Sequence, residues 1–216
     1  MHINDGLLPA QVWLPGYLVT GGLTWFSLRQ IHRQGDPTQG IPKASLLTAA
    51  FFVASSIHIP IPPASVHLVL NGLLGVILGY YAFPAILIGL FLQAETFGHG
   101  GLSTLGVNAA MMGIPALLAH GIFQLYPLTQ RWLSERQALG LTAFLAGSIG
   151  LGLAALIFWG LILTTIPADL EAQAEKIATY SLTLAHIPLM LIEGAFTTLL
   201  VLFLHKVKPE LLKNQG

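Results

Sequence analysis

The sequence predicts an all-α membrane protein with about seven transmembrane helices, an N-terminus outside and a cytoplasmic C-terminus. Hydrophobic residues make up 54% of the 216 residues and charged residues only 8%, whereas soluble proteins average about 25% charged residues. The mean hydropathy is +0.74. So few charges cannot solvate the surface of a soluble domain of this size. A formal net charge of zero also excludes a protein that binds nucleic acid through a basic stripe.

We place seven helices on apolar runs that approach the roughly 20 residues needed to cross a bilayer. Their predicted limits are Val12–Leu28, Ala44–Ile59, Val66–Tyr81, Phe83–Phe97, Ser103–Leu125, Ala138–Thr165 and Ser181–His205. The third and fourth helices are short and almost contiguous. They could therefore also form one broken unit, which would lower the count to six.

The distribution of Lys and Arg favours seven helices, because the cytoplasmic loops of membrane proteins carry an excess of these residues. Basic residues gather in the connector after the first helix, in the connector after the fifth and in the tail: Arg29, Arg33 and Lys43; Arg131 and Arg136; Lys206, Lys208 and Lys213. The opposite connectors are uncharged (59–65) or acidic (167–175). Seven helices place all three basic segments on the cytoplasmic side, whereas six would split them.

Neither a 20–50-residue repeat nor a low-complexity linker interrupts the chain. Residues 1–216 are therefore expected to form a single transmembrane substrate-binding domain, with a cytoplasmic tail at 206–216. Residues 1–11 precede the first helix and lack the basic, apolar and small-residue regions of a signal peptide. We expect Met1 to be the mature N-terminus, with a free α-amine.

The first two residues form a candidate metal chelate. The α-amine of Met1, the amide nitrogen of His2 and the Nδ1 atom of the His2 imidazole can bind one ion together in unstrained rings. Nitrogen donors in a plane suit Ni(II), Cu(II) and, less well, Co(II). Because the chain has no cysteine, any metal site must use nitrogen or oxygen ligands. From the dipeptide alone, a chance histidine at the second position is the simpler interpretation.

A fourth ligand would have to come from elsewhere in the chain, and His67 is the first candidate. It follows a proline-rich connector that we place on the same side of the membrane as Met1. We predict that Ser65 caps the third helix and that His67 lies in its first turn. Asn71, four residues on, would share that helix face and is a secondary candidate for metal ligation.

Two further polar clusters lie in or beside the predicted helices. The segment 93–101 contains Gln93, Glu95 and His99 together with three glycines. It either lines a substrate chamber on the outer side or forms a tight turn, and His99 is another secondary candidate for metal ligation. His186 and Glu193 share a face of the last helix, which is either a structural polar seam or part of a proton path.

Several of these segments resemble the CbiM/NikM family, the substrate-capture components of energy-coupling-factor cobalt and nickel transporters. The start of the chain, residues 1–6, is similar to the family's MHIxxG opening, and the blocks 65–72, 98–108 and 185–194 resemble further family motifs. In that family the metal is held by the terminal amine, by the amide and imidazole of the second residue, and by an imidazole at the start of a later helix. The resemblance assigns these positions to Met1, His2 and His67, and makes 1–11 a metal-binding segment.

The resemblance implies a non-enzymatic subunit of a prokaryotic cell (inner) membrane that captures Ni(II) or Co(II) as substrate and needs no organic cofactor. The run Val66-His67-Leu68-Val69 differs from that of cobalt-type members, which mildly favours nickel. The chain has no phosphate-binding loop ending in Gly-Lys-Ser/Thr, so ATP hydrolysis would come from separate ATP-binding-cassette ATPases. They would act through a transmembrane coupling subunit, and a small auxiliary membrane protein is a further candidate partner.

Two other functions compete with this interpretation. The first is a proton-coupled secondary divalent-cation transporter or channel that uses Glu95, His186 and Glu193 as a relay and conducts ions without ATPase subunits. The second, an intramembrane enzyme, is weaker. The chain has neither a His-Glu-x-x-His motif nor the Gly-x-Ser-Gly order of a rhomboid-type serine protease.

Overall fold

The computed structural model of the chain describes residues 2–61, 64–165 and 172–212. Its helices, in order, are α1 (Ala10–Arg33), α2 (Ile41–Ser56), α3 (Asn71–Leu78), α4 (Ala82–Phe97), α5 (Leu105–Phe123), α6 (Tyr126–Thr129), α7 (Glu135–Thr165) and α8 (Ala172–Val207). Short 3₁₀ turns lie at Pro37–Gly40, Gly79–Tyr81 and Pro209–Leu211. The mainly helical fold class is thus confirmed.

The protein is not all-α, however, because a two-stranded hairpin follows α2. Strands β1 (His58–Ile61) and β2 (Ala64–His67) are antiparallel, with His58 opposite His67 and Ile61 opposite Ala64. Proline fixes φ and pushes the residue before it towards extended backbone. The proline-rich connector therefore favours extended strands over the predicted continuation of the second helix to Ile59.

The predicted start of the third helix is also wrong. Val66 and His67 belong to β2, and α3 begins only at Asn71. Between them Leu70 has a left-handed φ of 54°, which a residue with a side chain adopts rarely. His67 and Asn71 therefore do not share a helix face, and Ser65 lies in a strand rather than at a helix N-terminus.

Among the described residues, four helical runs are long and apolar enough to cross a bilayer: Asn71–Phe97, Leu105–Thr129, Glu135–Thr165 and Thr179–Val207. The first of these joins α3, the 3₁₀ turn and α4. The predicted third and fourth helices thus correspond to one interrupted run. The count of seven transmembrane helices and the sides on which the termini lie remain predictions.

Helix α3 lies inside the bundle, where all of its residues are buried. Glycines allow this position, because a Cβ atom on Gly72 would lie 2.5 Å from the carbonyl oxygen of Ala146 in α7. A Cβ atom on Gly75 would overlap the carbonyl of Ala116 in α5. Small residues let membrane helices approach closely in this way, and they bring the segment after His67 between α5, α7 and α8.

Large apolar side chains also cover the outside of the bundle. Leu18 is 78% exposed, Leu199 is 68% exposed and Trp25 is 61% exposed. Exposed apolar surface of this kind is costly in water and marks a membrane or protein contact. The outer surface is therefore compatible with the acyl chains of a bilayer.

Candidate metal centre

The N-terminal segment is inserted into the helical bundle through Ile3, which is fully buried. The Ile3 amide donates to Oδ1 of Asn108 at 3.0 Å, and Nδ2 of Asn108 donates to the Ile3 carbonyl at 2.9 Å. The Thr104 hydroxyl donates to the same carbonyl at 2.6 Å. Both backbone groups of Ile3 are thus satisfied by side chains of the α5 region, which holds the neighbouring His2 in place.

Hydrogen bonds to Asp5 also hold the N-terminal segment in place. The Ser103 amide donates to Oδ1 of Asp5 at 2.9 Å, and the Ser103 hydroxyl donates to the same oxygen. These hydrogen bonds stabilise the carboxylate and lower the pKa of Asp5 from its usual value. Asp5 therefore stays ionised at neutral pH and keeps the segment attached to the start of α5.

Three imidazoles meet at this position. The ring centroids of His2 and His67 are 5.0 Å apart, with an angle of 27° between the ring planes. The His99 ring lies 6.1 Å from that of His2. His67 is only 3% exposed. The structure thus brings together three of the histidines that the sequence analysis named, from the N-terminus, β2 and the turn after α4.

A relay of hydrogen bonds determines which nitrogen of His2 carries the proton. The Ser55 hydroxyl donates to the Phe51 carbonyl at 2.6 Å, and Nε2 of Gln93 donates to the Ser55 oxygen. The Gln93 Oε1 atom must then be the acceptor for Nε2 of His2, 2.9 Å away. Since a neutral imidazole has one donor and one acceptor, Nδ1 of His2 keeps its lone pair. That is the nitrogen a terminal chelate requires.

His67 has the opposite tautomer. Its Nδ1 lies 3.0 Å from the carbonyl oxygen of Leu68, which can only accept, so Nδ1 carries the proton. The lone pair is then on Nε2. Hydrogen bonds of this kind orient metal-binding histidines and select their tautomer in proteins. Each of the two rings therefore has a defined nitrogen for a metal.

Burial keeps His2 neutral. Removal from water lowers the pKa of His2 well below its usual value, and repulsion from protonated forms of His67 and His99 adds to the effect, whereas the hydrogen bond to Gln93 opposes it. Only the neutral imidazole binds a metal ion. The His2 imidazole can therefore bind a cation near neutral pH without first losing a proton.

The remaining predicted ligands have different surroundings. Met1 lies outside the described residues. Nδ2 of Asn71 donates to the carbonyls of Met112 at 3.2 Å and Gly150 at 3.0 Å, while its Oδ1 accepts from the Gly72 amide at 2.9 Å. Asn71 thus joins α3 to α5 and α7. Within the described ranges, no group of three or more His, Cys, Asp or Glu side chains is arranged to hold a metal ion.

The predicted proton relay is spread over different environments. Glu95 is exposed and lines an open surface cavity together with Asn4 and Asp5. His186 is buried, and its Nδ1 lies 2.7 Å from the Leu182 carbonyl of the same helix. Glu193 is 1% exposed and accepts hydrogen bonds from backbone amides. These contacts favour the structural polar seam.

Local sequence pattern did not connect Gln93, Ser55 or Asn108 with His2, although these residues determine how His2 is held. A signal for two of them was present, because Gln93 and Asn108 are amide side chains at the ends of apolar helices. Polar groups at such positions are expensive unless they are hydrogen-bonded. Their partners, however, lie far away along the chain and could not be read from local pattern.

Known proteins are similar to this chain over nearly its whole length. The family model CbiM, described as a cobalt uptake substrate-specific transmembrane region, matches residues 2–211. A provisionally named metal transport protein of Haemophilus influenzae is 34% identical over 214 residues, which cover 99% of this chain and 98% of the relative. The fused nickel transport protein NikMN of Rhodobacter capsulatus is 31% identical over 160 residues, which cover 73% of this chain but 45% of that relative.

The fold has also been observed in a solved structure. A crystal structure described as that of a transition metal transporter superimposes with a TM-score of 0.80 and covers 99% of this chain and 95% of that chain. The two sequences are 24% identical. This likeness shows a shared fold.

Proposed function

This chain belongs to the CbiM family, and on that premise we propose that it is the substrate-specific membrane subunit of an ATP-driven uptake system for Ni(II) or Co(II). The observation that carries the proposal is the pair of imidazoles, His2 and His67, in complementary tautomers with ring centroids 5.0 Å apart. The His67 side chain is buried and that of His2 is partly buried, so the pair lies at the edge of the bundle interior. Such a site can capture an ion from outside and exclude water and competing ligands.

In the proposed site, four nitrogens hold the ion: the α-amine of Met1, the amide nitrogen and Nδ1 of His2, and Nε2 of His67. The hydrogen bonds of Gln93 and Leu68 support this set, because they leave lone pairs on those two imidazole nitrogens. Planar nitrogen ligation favours Ni(II) or Cu(II) over Zn(II), which prefers a tetrahedral arrangement. Asn71 and His99 are not needed as ligands in this arrangement.

We further propose that residues 1–216 form one transmembrane domain of the inner membrane, with 1–11 as its metal-binding segment and 206–216 as a cytoplasmic tail. Energy would come from ATP-binding-cassette ATPases through a transmembrane coupling subunit, with a small auxiliary membrane protein as a further candidate partner. The absence of a Gly-Lys-Ser/Thr phosphate-binding loop from the sequence supports separate ATPases. The metal ion is the transported substrate, and no reaction on an organic molecule is involved.

Two measurements test the proposal. Calorimetric titration of the purified, C-terminally tagged protein with Ni(II), Co(II) and Zn(II) should give one ion per chain, with the preferred ion as the substrate. Liposomes should accumulate that ion only when the coupling subunit and the ATPases are reconstituted and ATP is supplied. Ion flux through this chain alone would instead support a proton-coupled secondary transporter or channel.

Metal binding should weaken steeply with falling pH. The lowered pKa of His2 means that its ring releases no proton on binding near neutral pH. The His2 amide must lose its proton at every pH, and the Met1 amine must do so below its ordinary pKa of about 8. Release of about two protons reduces the affinity about a hundredfold per pH unit. Titrations at about pH 8, 7 and 6 measure the slope, and a constant affinity would contradict ligation by amine and amide.

Removal of the Gln93 side-chain amide should weaken binding without removing a ligand. Gln93→Leu keeps the side-chain volume but loses the acceptor for Nε2 of His2, so the ring can rotate and change tautomer. We expect the dissociation constant for the preferred ion to rise about tenfold to a hundredfold, which is typical for the loss of a partner of a metal-binding histidine. The control is Gln124→Leu, an exposed glutamine after α5, for which the affinity should not change.

A further inference from the structure

Glu193 is a buried carboxylate that the proposed capture site does not use. It lies within α8, and only 1% of its surface is exposed. Its Oε1 accepts a hydrogen bond from the Val69 amide, and its Oε2 accepts one from the Leu70 amide at 3.0 Å. These two amides belong to the short segment between His67 and the first residue of α3. A side chain of α8 therefore holds the backbone next to a candidate metal ligand.

The segment after His67 needs an external partner to keep its conformation. Leu70 has a φ of 54°, which is unfavourable for a residue with a side chain. It is also the N-cap of α3, and its apolar side chain makes no capping hydrogen bond. Helix N-termini leave backbone donors unsatisfied, and buried donors of this kind require acceptors. Glu193 supplies one acceptor oxygen to each of the two amides.

The position of Glu193 is itself determined by close contact between α8 and α7. A Cβ atom on the adjacent Gly194 would overlap the Ser148 hydroxyl and lie 2.9 Å from the Phe144 carbonyl oxygen. The Ser148 hydroxyl donates to the Met190 carbonyl at 3.0 Å. The α8 backbone around Glu193 therefore has little freedom to slide along α7. The carboxylate is presented to the segment 68–70 from a rigid support.

We propose that Glu193 is a positioning residue for metal capture, which holds the segment 68–70 so that His67 stays opposite His2. The proposal rests on the function proposed above, because it assigns Glu193 an effect on the His67 ligand. The two hydrogen bonds to Glu193 also connect α8 directly to the segment that follows His67. Loss of the two hydrogen bonds would release the segment 68–70, which directly follows the 3% exposed His67.

The test compares Glu193→Gln with Thr198→Val in the full chain. Glu193→Gln has the same shape but places an amide donor group against one of the two backbone amides. We expect it to weaken Ni(II) binding about tenfold to a hundredfold, to speed Ni(II) release to EDTA and to change the d–d absorption of bound Ni(II). Amide hydrogen exchange at 68–70 should also become faster. Thr198→Val removes a hydrogen bond of the same helix pair, from the Thr198 hydroxyl to the Gly140 carbonyl at 3.2 Å. Thr198 does not hold the segment 68–70, so the affinity and the Ni(II) spectrum of this variant should match wild type.

The results distinguish failure of this proposal from failure of the proposed function. If wild type binds Ni(II) and His67→Ala does not, but Glu193→Gln behaves like Thr198→Val, the positioning role is wrong and the capture site stands. If wild type does not bind Ni(II), the proposed function fails first. Should Glu193→Gln not yield a monodisperse protein, Glu193→Asp is measured in its place. It keeps the charge but is one methylene group too short to reach both amides, and wild-type affinity in that variant would overturn the proposal.

Discussion

Replacement of His67 by alanine is expected to reduce the affinity for Ni(II) or Co(II) by about a hundredfold or more. Loss of a hydrogen-bond partner of a metal ligand typically costs tenfold to a hundredfold, and loss of the ligand itself should cost at least the upper end of that range. His2→Ala should be as severe, because it removes the Nδ1 ligand and also the hydrogen bond from Nε2 to Gln93 that orients the ring. Calorimetric titration of both variants beside wild type measures the effect.

The matched control for both substitutions is His32→Ala. His32 is exposed in the last turn of α1, and its Nδ1 lies 2.7 Å from the Leu28 carbonyl of the same helix. The affinity of this variant should equal that of wild type. If His2→Ala and His67→Ala also bind as wild type does, the proposed ligand set is wrong. The region of Glu95 and His99 and the proton-relay function would then be the leading hypotheses.

Two residues added before Met1 should abolish high-affinity binding, again by about a hundredfold or more. The addition moves the free amine away from His2, so the amine, the His2 amide and Nδ1 no longer form adjacent chelate rings. A two-residue extension, such as Gly-Ser left after protease cleavage, is the informative one. A single added residue would make histidine the third residue and could create a new chelate with two amide nitrogens. Titration with the preferred ion, after mass spectrometry has confirmed each N-terminus, gives the result.

The control places the same Gly-Ser pair at the C-terminus, where the affinity should not change. This experiment differs in kind from the histidine substitutions because it leaves every side chain of the described structure in place. Ile3 remains able to bind Asn108 and Thr104. Undiminished binding by the extended protein would show that the terminal amine is not a ligand, even if His2 and His67 both are.

Much of the architecture could be predicted from the sequence, because apolar runs and their boundaries are local properties. The predicted helix over Phe83–Phe97 differs by one residue from α4, and the sixth prediction ends with α7 at Thr165. The prediction failed at Val66–Tyr81. There the composition favours a helix in a bilayer, but the backbone after a proline-rich stretch is extended and the helix starts late.

The candidate site divides in the same way. Covalent geometry alone makes a terminal chelate of Met1 and His2 possible, and the resemblance favoured it and added His67. The tautomers that make His2 and His67 suitable ligands depend on Gln93, Ser55 and Leu68. Gln93 is marked only as a polar residue in an apolar helix, and Ser55 and Leu68 carry no mark of that role in the sequence.

By itself, the sequence determined the membrane character, most of the helices and a candidate chelate of adjacent residues, since all of these depend on composition and short-range pattern. Only the tertiary structure decided that His67 lies in a strand with its ring beside that of His2. It also decided that Gln93 orients His2 from 91 residues away, and that Glu193 holds the Val69 amide from 124 residues away. The physical reason is that buried polar groups must find partners wherever packing brings them. Which partners meet depends on how the whole chain folds.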